Sequence, residues 1–365
     1  MGWESRVSFE CPACGERFGP AARPLRCGCG SPLLSMVEWE EMKIDGGRPG
    51  LWRYGAALPF DEGSAPTMGE GWTPLVPSGG PGNMAYKIEF LFPTGSFKDR
   101  GAVMVMAEAR LLGAREVVQD SSGNAGASVA AYAARSGIKA TVVVPGATSE
   151  SKRNQIRSYG AELHVVEGDR SAASRETWRM AKNRFYASHV WNPLFLEGTK
   201  TFAFEVWEQE GFRAPDAVFL PAGNGTLLLG AWKGFSELLA RQLIVKMPRL
   251  FACQSIGCAP LYGRLNGTMP GLFPTVAEGI AVAFPPRLEE MARAVSETGG
   301  KCLLVPDEAV LSEQKRLARK GFLVEPTAAV APAAAAQALR EGLLREADRV
   351  IVPLTGSGLK KPPQD

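Results

Sequence analysis

Lys98 lies in the run Pro93-Thr94-Gly95-Ser96-Phe97-Lys98-Asp99-Arg100-Gly101, a turn-forming stretch followed by small and apolar residues that predict a helix. A lysine at a helix start feels the positive end of the dipole and partial desolvation, and both lower an ammonium pKa. An amine kept neutral in this way can attack an aldehyde. The same position also suits a solvated lysine beside Asp99 and Arg100. Two further loops carry the residue types that hold anions: Asp120-Ser121-Ser122-Gly123-Asn124-Ala125-Gly126 and Pro221-Ala222-Gly223-Asn224-Gly225-Thr226. Each falls between a strand pattern and a helix pattern, where backbone N–H groups face whatever anion sits at the helix start. Tight strand-to-helix turns also need glycine for their own geometry.

A separate chemistry is written near the N-terminus. Cys11-Pro12-Ala13-Cys14-Gly15 has knuckle spacing, and Cys27-Gly28-Cys29-Gly30 follows with a single intervening residue. Four thiolates so placed point to a tetrahedral zinc site, with a metal-free module or a labile disulfide as the alternatives. With only two histidines in the chain, His164 and His189, a histidine-rich metal centre has almost no raw material.

The elements that must position these loops are legible as alternating strands and helices. Strand patterns cover Glu116–Gln119, Ala140–Pro145, Glu162–Val166, Ala217–Leu220 and Arg349–Leu354. Helix patterns cover Ser128–Ser136, Ser151–Tyr159 and Ala328–Arg340. This alternation predicts an α/β architecture with parallel-type sheets. Ligands in such sheets bind at the carboxyl ends of strands, where the glycine loops fall. Residues 1–35, rich in Gly and Pro and poor in aliphatics, form a small module that needs a metal or docking to hold it.

Composition narrows the function. At 365 residues the chain can bury two cores, and a net charge of +3 with intermixed signs leaves no basic face for nucleic acid. No apolar run is long enough to span a bilayer. The start Met1-Gly2-Trp3-Glu4-Ser5 lacks a secretory pattern, so the cytoplasm is expected.

The three loops in this order resemble those of the fold-type-II pyridoxal-phosphate (PLP) enzymes, which include tryptophan synthase β, serine and threonine dehydratases and cysteine synthase. The lysine run at 93–101 is similar to that of threonine synthases. So are Gly69-Glu70-Gly71-Trp72-Thr73-Pro74-Leu75, Thr355-Gly356-Ser357-Gly358-Leu359-Lys360 and the cysteine module. The resemblance implies two α/β domains with an active-site cleft between them, plus a zinc-ribbon-like module. The domains expected are 1–35 for the module, 50–100 with 195–360 for the large PLP-binding domain, and 101–194 for an inserted smaller one.

It also implies the roles. Lys98 takes the cofactor aldehyde and moves protons at the substrate carbons, while Asn124 bonds the ring hydroxyl. Gly223, Asn224, Gly225 and Thr226 hold the cofactor phosphate, and Thr355 faces the pyridine nitrogen. The substrate falls to Ser121, Ser122, Gly123, Lys152 and Arg175, with Arg175 also readable as a surface arginine. Cys11, Cys14, Cys27 and Cys29 hold structural zinc. The implied activity is threonine synthase, acting on O-phospho-L-homoserine, in a homodimer. Asp169 stands where the family often has asparagine, and Ser357 where it has histidine, a serine there being similar to the dehydratases. The alternatives are a serine/threonine dehydratase, a phosphoserine-using replacement enzyme, or a non-catalytic zinc-ribbon protein on a retired PLP fold.

Overall fold

A computed structural model describes residues 6–20 and 24–360. Residues 1–5 and 21–23 of the expected cysteine module, and 361–365, lie outside the described residues. The chain divides into two compact units, one made of residues up to Gly71 with Phe92–Thr199, the other of Trp72–Leu91 with the chain from Lys200 onward. Segment 50–100, expected in the large domain, is therefore divided: only 72–91 joins the larger sheet, while 50–71, 92–100 and the cysteine module group with the inserted sheet. The reason is pairing. Strands β4 (Leu75–Pro77) and β5 (Asn83–Lys87) add to the edge of the larger sheet, where β5 runs parallel to a strand at 349–353.

The first unit opens with a three-stranded antiparallel sheet of β1 (Val7–Glu10), β2 (Arg17–Phe18) and β3 (Leu34–Val37), with β1 central. After β4 and β5 the chain returns to this unit. It then forms α1 (Lys98–Leu111), β6 (Glu116–Gln119), α2 (Asn124–Ser136), β7 (Lys139–Pro145), α3 (Glu150–Ser158), β8 (Glu162–Val166), α4 (Arg170–Met180), β9 (Phe185–Tyr186) and α5 (Leu194–Thr199). The four strands make an all-parallel sheet in the order β8-β7-β6-β9. Strand β7 is buried from Ala140 to Pro145, the unbroken apolar run expected of a parallel strand covered on both faces.

The second unit holds α6 (Thr201–Gln209), β10 (Ala217–Pro221), α7 (Thr226–Ala240), β11 (Arg249–Ser255), α8 (Pro260–Asn266), α9 (Leu288–Glu297), β12 (Cys302–Val305), α10 (Asp307–Arg319), α11 (Pro326–Arg340) and β13 (Arg349–Pro353). Its sheet runs β12-β11-β10-β13-β5-β4, parallel except for β4. The alanine helix begins at Pro326, two residues before the expected start, because proline suits the first helical position. Alanines 328, 329, 331, 334 and 335 are fully buried in the core of this unit. Likewise α2 starts at Asn124, four residues earlier than its sequence pattern, so the asparagine of the second loop is itself helical.

Candidate active site

In the first unit Lys98 is the first residue of α1 and is half-buried. Its Nζ lies over two rings, 4.7 Å from the centroid of Phe97 and 5.7 Å from that of Phe195. The preceding turn needs Gly95, whose φ is +77°. The turn is tied to the helix by Asp99, which accepts from Thr94 N at 2.8 Å and Thr94 Oγ1 at 2.5 Å. The same carboxylate accepts from Ser128 Oγ in α2 at 2.5 Å. Burial pushes Asp99 up to about 6, against the pull of these hydrogen bonds, with the Glu70 charge adding to the rise. Glu70, from the Gly-Glu-Gly run, accepts from Trp52 Nε1 at 2.7 Å and Tyr132 OH at 2.9 Å. Helix α5 crosses α1 closely: a Cβ on Gly101 would enter the Phe195 ring, and one on Gly198 would strike the Arg100 carbonyl. Two residues before Lys98, the buried Ser96 Oγ has no hydrogen-bond partner.

Because the four strands are parallel, their carboxyl ends share one edge. After β6 comes Asp120–Gly123, with Ser121 to Asn124 half-buried and Gly123 N donating to Ser121 Oγ at 3.3 Å. Gly126 is required there, since a Cβ would collide with the Ser121 carbonyl. After β9 comes Ser188-His189, and after β8 come Asp169 and Arg170. His189 is buried, with its ring edge-on to Phe195 at 6.1 Å. Burial, then the positive charges of Lys98 and Arg170, hold its imidazole well below the usual histidine range. The Asp120 carboxyl is pushed up by burial and feels Arg170 as well.

Two substrate residues read from the sequence, Lys152 and Arg175, gain definite places, as does Asp169, the departure from the family pattern. Asp169 caps α4, its Oδ1 accepting from Ser171 N at 3.0 Å and Ala172 N at 3.1 Å. Arg175, in the middle of α4, and Arg170, in its first turn, are both exposed, and Arg170 is the arginine sensed by both Asp120 and His189. Lys152 is half-buried in α3. Arg170 and His189 were missed from sequence. The only signal was the rarity of histidine.

In the second unit two loops leave adjacent parallel strands, β10 and β13, on the same edge. After β10, Ala222-Gly223-Asn224-Gly225 leads into α7 at Thr226. Gly225 has φ +74°, and a Cβ on it would collide with Met291 Sδ. A Cβ on Gly223 would lie 2.8 Å from Ile280 Cα. Only glycine fits either place, so bare backbone lies at the head of a fifteen-residue helix, a cradle suited to a phosphate. After β13, Thr355 is buried, and Leu354 N donates to Lys87 O at 2.8 Å. Within the second unit the glycine cradle fits the phosphate arm of PLP, an aldehyde-bearing pyridine.

The cysteine module forms two similar knuckles. Gly15 N donates to Cys11 O and Gly30 N to Cys27 O, both at 2.9 Å, with φ +76° and +91° at the glycines. All four Sγ atoms lie within 4.8 Å of one another, and Cys11–Cys29 and Cys14–Cys27 are each 3.5 Å apart. These spacings suit four thiolates about one tetrahedral zinc and are far too long for disulfides, so the disulfide alternative is not what the chain adopts. The Cys11 thiol is lowered to about 6, burial opposing and the N–H groups of Cys14 and Ala13 prevailing. Ser35 of β3 docks the module by donating to Pro193 O at 3.1 Å and Glu197 Oε1 at 2.5 Å. Arg26 lies 4.9 Å over the Trp178 ring.

Comparison with known proteins agrees with this geometry. The pyridoxal-phosphate dependent enzyme family matches residues 66–356. The threonine synthase of Methanocaldococcus jannaschii is 34% identical over 96% of this chain and 92% of that protein. That of Mycobacterium bovis is 35% identical over 85% of this chain and 88% of that protein. Among solved structures, O-ureido-L-serine synthase superposes with a TM-score of 0.67 at 22% identity, over 79% of this chain and 90% of that one. Threonine deaminase isoform 2 from Solanum lycopersicum gives 0.66 at 23% identity, over 76% and 75%. These last two show the fold alone.

Proposed function

The chain belongs to the pyridoxal-phosphate dependent enzymes, with threonine synthases as relatives along nearly its whole length, and from that premise we propose that it is itself a threonine synthase. The reaction is O-phospho-L-homoserine plus water to L-threonine plus inorganic phosphate. The observation that carries this is Lys98 at the head of α1, two residues after the unpartnered Ser96 hydroxyl and with its Nζ over two aromatic rings. Bound PLP would supply the electron sink that makes the substrate's Cα–H and Cβ–H acidic. Lys98 would take the cofactor aldehyde, then carry protons off Cα and Cβ and return one to Cγ and one to Cα. Phosphate leaves from Cγ, and water adds at Cβ. Gly223, Asn224, Gly225 and Thr226 would hold the cofactor phosphate, Asn124 the ring hydroxyl and Thr355 the ring nitrogen. Ser121, Ser122 and Gly123 would grip the substrate carboxylate. Arg170 joins Lys152 and Arg175 as a cation for the leaving phosphate.

Zinc held by Cys11, Cys14, Cys27 and Cys29 is proposed as structural, and a cytoplasmic homodimer as the working form. Among the described residues no helix is long and apolar enough to cross a membrane.

Turnover of phosphohomoserine, phosphoserine and threonine measured side by side tests the substrate. Phosphate and threonine appearing together from phosphohomoserine are expected; deamination of threonine without phosphate release would move the chain to the dehydratases. Borohydride should fix PLP to the peptide bearing Lys98, and labelling of another lysine would refute the site.

A further inference from the structure

We propose that Glu325 is a positioning residue for the Thr355 turn, its carboxylate forming an anionic backing at the ring-nitrogen end of the cofactor. This rests on the reading that PLP binds with its nitrogen toward Thr355.

Three contacts clasp the turn onto the segment Leu323–Glu325. Gly358 N donates to Leu323 O at 3.0 Å, Val324 and Ser357 form an antiparallel bridge, and Glu325 N donates to Gly356 O at 3.1 Å. The side chain goes further. A Cβ on Gly356 would collide with Glu325 Oε1, so the carboxylate occupies the space that glycine leaves beside Thr355.

Glu325 stands at the N-cap of the fifteen-residue α11, yet its side chain makes no capping hydrogen bond to that helix. The preferred capping residues are the short Ser, Thr, Asp and Asn. Here the longer side chain turns back to the Thr-Gly-Ser turn instead. It remains half-buried at a helix N-terminus, where the dipole favours its ionised form. The same short segment reaches the phosphate end of the unit. Thr327 Oγ1 accepts from Gly279 N at 3.0 Å, and the next residue, Ile280, is the one that Gly223 must clear.

A neutral threonine hydroxyl can accept or donate at a pyridine nitrogen but brings no charge of its own. A carboxylate one residue behind it, in a partly desolvated turn, supplies negative potential without becoming the direct partner. The chain would thus set the cofactor's electron demand with a neutral contact and a charged neighbour.

The test compares Glu325→Gln, which keeps shape and loses charge, with Glu325→Asp, which keeps charge. Four readouts are taken: thermal unfolding of the cofactor-free protein, PLP affinity by titration, the visible absorption of the PLP-bound protein, and steady-state kinetics. Glu325→Gln is expected to unfold like wild type and to bind PLP at Lys98. It should nevertheless show an altered absorption spectrum and lose about tenfold in kcat with little change in KM, equivalent to about 1.4 kcal/mol of barrier. Glu325→Asp should recover part of both. A Glu325→Gln protein with wild-type spectrum, affinity and kcat would overturn the inference and leave the PLP reading standing. So would a loss of thermal stability that accounts for the whole effect. Failure of wild type itself to take up PLP would overturn the reading beneath it, and this inference with it.

Discussion

The Ser128 hydroxyl donates a 2.5 Å hydrogen bond to the Asp99 carboxylate, joining the helix headed by Asn124 to the residue that follows Lys98. With Thr94 on the same carboxylate, one buried anion fixes the lysine turn to α2. Its pKa sets a sign. Below the unfolded value of 3.8 the carboxyl is protonated in both states; up to about 6 the folded state keeps the proton that the unfolded chain has lost. Asp99 therefore favours folding at low pH and loses that contribution as pH rises through about 6. The shift from 3.8 to about 6 corresponds to about 3 kcal/mol. Asp99→Asn has no proton to lose. Its stability relative to wild type should improve by up to this amount between about pH 4 and pH 7.5, read from urea unfolding of the cofactor-free proteins.

Arg170 and Arg175 make a second comparison. They are five residues apart on α4, about 140° around the helix, and cannot face the same way. Both are exposed, but only Arg170 acts electrostatically on Asp120 and His189. Arg170→Ala should weaken use of a phosphorylated substrate by tens-fold, about 2 kcal/mol or more. Arg175→Ala should do much less. Both should retain PLP, and kcat/KM for each variant decides it.

Gly225→Ala should cost the protein its cofactor. Left-handed backbone costs an L-residue about 1–2 kcal/mol, and the new methyl meets Met291 Sδ at once. Shifting the turn to relieve both would spoil the cradle. PLP titration of the variant should show affinity down by tens-fold or more, while Gly211→Ala, at φ +69° with open space around its Cβ position, provides a control for backbone strain alone.

Elemental analysis should find one zinc per chain, lost on mutation of Cys11 or Cys27 to Ser. Stripping the metal should expose Trp178, against which Arg26 is stacked, and the change should appear in tryptophan fluorescence. The far-ultraviolet circular dichroism of the four-stranded and six-stranded sheets should be unaffected.

Much of this arrangement is legible in the sequence, because local signals write it. Strands β6 and β8 are short β-rich runs bounded by turn residues, and their limits match the pattern; the knuckles are fixed by cysteine spacing and the glycines after them. What escapes is decided by distant pairing. Nothing around Gly71 and Trp72 marks the passage from one unit to the other; β5 makes it by pairing with β13 far along the chain. Asp169 reads as a departure from the family's asparagine until its oxygen is seen capping α4. His189 gains interest only because β9 lies next to β6, and Glu325 only because Gly356 has no side chain.

The Ser35–Glu197 hydrogen bond spans 162 residues. At a synthesis rate of about 5–20 residues per second, the N-terminal sheet emerges roughly 10–30 s before its docking surface exists. During that interval β1, β2 and β3 have only each other and the four thiolates to hold them, and buried residues such as Phe9 and Leu33 remain uncovered. The metal would thus matter most to a nascent chain. Once α5 is in place, Glu197 and Pro193 share the task, so zinc shortage would reduce the yield of newly made protein more than the activity of molecules already folded.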